Sequence, residues 1–244
     1  MNIVIIGATS AIATAAARRW AVPSNRLVLM GRNAEGMDAL SKDLAVRGAG
    51  AVDVVVEDPS DLEAHPATVA RIAESLGTVD IVLIAHGSLP DQKATEADTG
   101  LFIREYTVNA LSVMSYAGLF ANVLEAQGTG CVAVITSVAG DFGRQSNYTY
   151  GSAKGAVNIF LQGLRNRLHA RGVRVVTVKP GFVDTPMTAH LKKGLLWAQP
   201  DAVAARIVAL CSGGDGEHYV PGFWRLIMTI LHAIPAGVRV KLKL

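Results

Sequence analysis

A single-domain α/β fold is predicted, a doubly wound parallel sheet with helices on both faces. Three observations lead there. Short apolar runs rich in β-branched residues alternate along the chain with helical stretches, the order that parallel βαβ units require. The first of these runs, Ile3-Val4-Ile5-Ile6, is continuously apolar, as a central strand covered on both faces must be. The chain has 244 residues, half of them hydrophobic and 18% charged, which fits one large α/β domain without a second.

The elements follow in order. Strands are expected at 2–6, 26–30, 52–56, 80–85, 131–136 and 173–179, with a seventh near 218–220. Helices are expected at about 11–21, 34–48, 60–76, 99–127 and 151–171. Connections are mostly short, and no linker, repeat or low-complexity tract intervenes. The composition changes only after about residue 218. The chain therefore divides into an α/β domain at 1–218 and an apolar, basic extension at 219–244.

Composition also excludes function classes. A formal charge of +3 gives no case for nucleic-acid binding. Two cysteines, Cys131 and Cys211, are too few for a metal cluster or a disulfide framework; no metal site is expected. Both sit in apolar runs, as buried small hydrophobes do, which fits a reducing cytoplasm. The N-terminus opens on a strand, where a secretory signal would show a charged segment, an apolar segment and a cleavage site. No uninterrupted apolar stretch is long enough to span a bilayer.

The first strand runs directly into Gly7-Ala8-Thr9-Ser10-Ala11-Ile12-Ala13 and an Ala-rich helix. A strand, a tight turn and a helix N-terminus make an anion site from backbone amides and the helix dipole. Gly7 permits the turn, and small residues at 11 and 13 let a pyrophosphate approach. Only one glycine of the usual fingerprint is present. Alanine resists positive φ, so weaker cofactor affinity is expected. The second strand ends in Met30-Gly31-Arg32-Asn33. An acid near this end binds a ribose 2′-hydroxyl, whereas an arginine holds a 2′-phosphate. Arg32 therefore favours NADPH over NADH. Asp58, after the third strand, either contacts adenine or caps a helix opening at Pro59.

Tyr150 and Lys154 stand four residues apart in Tyr150-Gly-Ser-Ala-Lys154, and such residues share one helix face. A neighbouring ammonium favours phenolate, so the tyrosine pKa is expected to fall toward neutrality, suiting a general acid or base. Ser137 closes the run Cys131-Val-Ala-Val-Ile-Thr-Ser137. At a strand's C-terminal end its hydroxyl can bond the oxygen that Tyr150 protonates.

These residues resemble the classical short-chain dehydrogenase/reductase family, from Met1 to about residue 212. The motifs come in the family's order: Gly7-Ala-Thr-Ser-Ala-Ile-Ala13, Ala85-His86-Gly87 where Asn-Asn-Ala-Gly is usual, Asn109, Ser137, Tyr150 with Lys154, and Pro180-Gly181-Phe-Val183-Asp-Thr185. The resemblance implies a Rossmann-type fold and hydride transfer between a nicotinamide and a ketone or secondary alcohol. It implies that Tyr150 is the acid/base, that Lys154 tunes it and holds the nicotinamide ribose, and that Ser137 orients the carbonyl. Asn109 then holds a water linking Lys154 to solvent. Pro180, Gly181 and Thr185 lie beside the nicotinamide, and a homodimer or homotetramer forms. His86 is either a ribose contact or a tolerated loop residue.

In the extension, Phe223, Trp224, Ile227, Ile230, Leu231 and Ile234 recur near helical spacing before Pro235, and Arg239, Lys241 and Lys243 follow. A helix covering the substrate cleft or another subunit is one reading; a membrane-surface helix with a basic tail is the other. Ser137-Val-Ala-Gly140, Ser146-Asn147 and this tail also resemble decaprenyl-phosphate-linked keto-pentose 2-reductases. That resemblance implies a lipid-linked carbonyl substrate at the cytoplasmic face of a membrane. His190, Lys192 and Lys193 either meet a substrate phosphate or form a solvated loop. A non-catalytic nucleotide-binding regulator is the remaining alternative, one with no need of Ser137, Tyr150, Lys154 and Asn109 together.

Overall fold

The computed structural model describes residues 1–242. Seven strands, β1 (Asn2–Ile6), β2 (Arg26–Gly31), β3 (Ala51–Val56), β4 (Ile81–Ile84), β5 (Gly130–Ile135), β6 (Val173–Pro180) and β7 (Gly216–Val220), form one parallel sheet in the order β3-β2-β1-β4-β5-β6-β7. The α-helices of six residues or more are α1 (Ala11–Trp20), α2 (Ala34–Val46), α3 (His65–Leu76), α4 (Gln92–Ala97), α5 (Thr99–Tyr106), α6 (Ser112–Gln127), α7 (Tyr148–Leu168), α8 (Pro200–Gly213) and α9 (Trp224–Ala233).

Two cores follow from the two-residue period of a strand. Ile3 and Ile5 of β1 join Leu29, Leu83, Ala16, Leu44 and Ala204 in a layer with α1, α2 and α8. Val4 and Ile6 face the other way, onto Tyr116, Phe120 and Leu161 in a layer with α3, α6 and α7. Fully burying one such side chain contributes about 1.5–3 kcal/mol relative to exposure. Cys131 and Cys211 are free, buried thiols in the first layer.

The strand assignments agree with the sequence reading to within two residues at each end. The helices differ more. The expected helix at 99–127 is divided: α5 and α6 flank a π-helical turn, Thr107–Leu111. This run is long and apolar enough to cross a membrane, contrary to the sequence reading, but half of its most apolar stretch is buried in the protein, because α6 lays Val113, Tyr116, Phe120 and Leu124 on the sheet. The sequence reading assigns no helix to α4, whose six residues are too few to show a period, or to α8, where Pro200 in the first turn is a readable start signal.

After β7 the chain turns back over the domain. Helix α9 buries Trp224 and Met228 against Val138, with Ile227 and Leu231 partly covered. Its other side exposes Phe223, Leu226 and Ile230. Of the expected basic tail, Lys241 is exposed; Lys243 and the side chain of Arg239 lie outside what the structure describes.

Candidate active site

At β1 the strand order reverses, so β1 and β4 send their connections to opposite sides and leave a crevice at their C-terminal ends, where open α/β sheets bind ligands. A cleft of about 450 Å³ opens there. Gly7, Thr9, Ser10, Ala11 and Ile12 form one wall. Gly7 has φ +78°, and a Cβ on it would sit 2.6 Å from the His86 backbone nitrogen, so no other residue fits. Ser10 caps α1, its hydroxyl accepting from the Ala13 amide at 3.3 Å. Ala11 and Ala13 lie within α1, where the backbone is helical. The expected penalty of alanine against positive φ therefore does not arise at either position.

Gly31, Arg32 and Asp58 line the cleft beyond the end of β2. Arg32 is exposed. The Asp58 carboxylate accepts from the Ser60 amide and hydroxyl, both at 2.9 Å. The Ser60 amide and hydroxyl, with the Arg32 charge beyond them, hold its pKa below the usual carboxylate value despite partial burial. It does not cap a helix at Pro59, since α3 begins at His65. Asn33 turns away: its side chain caps α2 by accepting from Gly36 at 2.9 Å, and it is not part of the cleft wall.

Ala85, His86 and Gly87 follow β4 into the cleft. The Ser112 hydroxyl donates to Val108, so the His86 Nε2–H must donate to Ser112, at 2.8 Å. That leaves His86 Nδ1 a buried acceptor with no partner. Burial, with Lys154 nearby, drives the imidazole pKa down to about 3, so it stays neutral. A strained glycine turn at a helix N-terminus, an arginine past β2 and an orphaned acceptor between them fit an adenine dinucleotide.

Ser137, Tyr150 and Lys154 meet at the other end of the cleft. Ser137 ends the β5 connection, and the turn Val138–Gly140 packs directly on α7. A Cβ on Gly140 would lie 2.7 Å from the Lys154 carbonyl carbon, and one on Gly151 would lie 2.8 Å from the Ala139 oxygen. These glycines let the serine turn approach the helix that carries Tyr150 and Lys154. Lys154 is 3% exposed, with its ammonium 5.7 Å from the Tyr150 ring centre. Burial raises the Tyr150 pKa to about 12, with the Ser137 hydroxyl acting against it. Burial lowers Lys154 to about 8. The tyrosine shift is opposite to the sequence expectation, because desolvation of the phenolate outweighs the cation beside it.

Asn109 sits on the π-turn, 1% exposed, behind Gly87. Its oxygen accepts from the Ser88 amide at 3.0 Å, and its nitrogen donates to the Ser88 hydroxyl and the Glu105 carbonyl, both at 3.0 Å. It lies against the wall of the cleft rather than in it and fixes the loop that carries Gly87. Single π-turns within helices occur often at functional sites.

Pro180, Gly181, Val183 and Thr185 close the near side. Thr185 and Thr188 form a capping box for the short turn that follows. The basic loop beyond does not face the cleft as a phosphate site would. Lys193 pairs with Asp184 at 2.7 Å, His190 and Lys192 are exposed, and Met187, Thr188 and Leu191 line the cavity instead.

Sequence reasoning missed several residues here. Arg144 and Asn147 line the cleft. Behind them, buried Lys179 pairs with Asp141 at 2.9 Å and Glu217 at 2.5 Å, and the Tyr219 hydroxyl donates to Asp141 at 2.6 Å. Burial opposes the Lys179 charge, but the two carboxylates outweigh it and raise its pKa. The network ties the serine turn to β6 and β7. A lysine closing the apolar run of β6 was its one readable sign.

A switch-point cleft with a dinucleotide cradle at one end and, at the other, half-buried Ser137 and Tyr150 beside buried Lys154 defines a nicotinamide-dependent oxidoreductase. The short chain dehydrogenase family model matches residues 1–195, and the chain belongs to that family, whose members act on CH–OH and C=O groups. It is 32% identical over 236 residues to an uncharacterized oxidoreductase of Mycobacterium tuberculosis (strain ATCC 25618 / H37Rv), covering 97% of this chain and 94% of the other. It is 29% identical over 191 residues to a galactitol 2-dehydrogenase (L-tagatose-forming) of Cereibacter sphaeroides, covering 78% and 74%. Among solved structures it resembles a putative NAD(P)-dependent gluconate 5-dehydrogenase from Beutenbergia cavernae with bound NADP, at TM-score 0.81 and 25% identity, covering 92% and 96%.

Proposed function

We propose that the protein is an NADPH-dependent reductase of a ketone, running in reverse as a secondary-alcohol dehydrogenase. The convergence of Ser137, Tyr150 and Lys154 at one end of the cleft carries this reading. A nicotinamide bound there supplies the hydride. The Tyr150 hydroxyl, protonated at any working pH with its pKa pushed up to about 12, gives its proton to the oxygen that gains charge. Ser137 orients that oxygen, and the Lys154 cation stabilises the phenolate left behind. Asn109 keeps Gly87 and Lys154 in register. Arg32, in the cofactor end of the cleft and in no ion pair among the described residues, supports NADPH over NADH through the 2′-phosphate.

Two buried free thiols support a reducing, cytoplasmic setting. Exposed Phe102, Ile103, Leu111 and Ile159 on the α5–α7 side support a homo-oligomer joined through those helices. The exposed Phe223, Leu226 and Ile230 of α9, on a helix anchored beside Val138, favour a second reading, in which the ketone is a sugar carried on a polyprenyl phosphate at a membrane.

The pH profile tests the proton assignment. Below pH 8 Lys154 keeps its charge; above its pKa of about 8 the cation is lost while Tyr150 stays protonated. With NADPH and a panel of ketones and ketoses, reductive kcat/KM should be level below pH 8 and fall about tenfold per pH unit above it. A rate level to pH 10, or no turnover with any carbonyl, would contradict the reading.

A further inference from the structure

Arg144 is half-buried in the wall of the cleft and has no carboxylate or carbonyl partner among the described residues. Its one close contact is the Phe142 ring, 5.1 Å from the guanidinium, and its buried Nε is unpaired. The nearest acid is already engaged: one Asp141 oxygen takes Lys179 and the other takes Tyr219. Asp184 is held by Lys193. Burial lowers the Arg144 pKa, with only the Asp141 charge opposing. An unpaired, partly desolvated guanidinium is costly, and among the described residues only the Phe142 ring and the already engaged Asp141 carboxylate offset it.

Asn147 stands one turn further on, its amide donating to the Arg144 carbonyl at 3.2 Å. It occupies the capping position of α7 without capping it, and its buried Oδ1 is unpaired. Arg144, Asn147, Ser137 and Tyr150 thus line the same cleft, with two residues between Asn147 and Tyr150. Leu89, Met187 and Leu191 line the same cavity with apolar surface.

We propose that Arg144, with Asn147 beside it, anchors an anionic group of the substrate, a carboxylate or a phosphate, and so selects ketones that carry one. A guanidinium matches either anion in a bidentate pair. This rests on the reductase reading and names the substrate class of the same site.

The test is ligand binding by calorimetry to the protein saturated with NADP⁺, the oxidised cofactor that cannot reduce a ketone, using matched probes. Levulinate is compared with its methyl ester, and dihydroxyacetone phosphate with dihydroxyacetone. Wild type should bind at least one charged probe about tenfold or more tighter than its neutral partner. Arg144→Met should remove that preference with NADP⁺ affinity unchanged, and Arg144→Lys should keep part of it, guarding against a misfolded variant. Preference for levulinate alone assigns a carboxylate, and for the phosphate alone a phosphate. Equal binding of charged and neutral probes, no binding of either charged probe at millimolar concentration, or a preference that survives Arg144→Met would overturn the proposal. Failure of NADP⁺ itself to bind would overturn the reductase reading instead.

Discussion

Tyr150→Phe should lower kcat by about 10²–10⁴-fold, the range that a positioned general acid contributes, and leave NADPH affinity and thermal stability close to wild type. The reason lies in what the substitution leaves intact. The ring keeps its place on α7, where the Lys154 ammonium lies 5.7 Å from its centre, and Lys154 stays buried with Gly87 against it. Only the hydroxyl is lost, with its contact to Ser137. Ser137 has a second tie, since its oxygen accepts from the Ala139 amide at 3.1 Å, so the serine turn should hold. Among the described residues, the other cationic groups that line this end of the cleft are Arg144 and Lys154. Arginine does not release its proton at working pH, and Lys154 would have to give up the charge that stabilises the phenolate. Steady-state kinetics beside a cofactor titration separates the two effects. Turnover within about tenfold of wild type would remove Tyr150 from its assigned role.

Gly181→Ala should dislodge the C-terminal helix. A Cβ at this position would stand 1.9 Å from the Trp224 indole, a distance that no rotamer adjustment of a methyl group can relieve. Trp224 is 3% exposed, and with Met228 it is the means by which α9 holds Val138 beside Ser137. Phe182 would shift as well, since its ring meets Trp224 at 5.7 Å and stacks on Trp197 at 5.5 Å. Overpacking of this kind costs about 1–3 kcal/mol, equivalent to a fall in Tm of about 2–12 °C for a chain of this size. KM for the ketone should rise, because Gly181 and Phe182 line the cleft. Thermal melts and tryptophan fluorescence read the change, and adding Trp224→Leu should restore part of the stability. An unchanged melt and spectrum would show that α9 packs elsewhere.

The sheet was legible because a doubly covered strand such as β1 is continuously apolar from Ile3 to Ile6. The candidate catalytic pair was legible because Tyr150 and Lys154 are close in sequence and on one helix face. What escaped is what depends on distant parts of the chain meeting. The π-turn at Thr107–Leu111 adds one residue to a helical loop without altering its composition. The Lys179 network joins residues from β6, β7 and the serine turn, and Arg144 carries meaning only once its surroundings prove to lack a partner. The Tyr150 shift was misjudged for a related reason: the neighbouring charge is visible in the spacing, whereas the burial that outweighs it is not. The alanines of the first turn show the converse. They read as defects against a glycine pattern, yet both lie in α1 and only Gly7 needs its positive φ.

Whether the cleft holds NADPH, with Arg32 reading its 2′-phosphate, is measured by fluorescence titration of wild type and Arg32→Ala with NADPH and NADH. NADPH should bind wild type more tightly than NADH, and Arg32→Ala should weaken NADPH by about tenfold, the lower end of a charged hydrogen bond, while leaving NADH unchanged. Equal affinities in wild type would contradict the cofactor preference. Binding of neither would contradict the reductase reading as a whole.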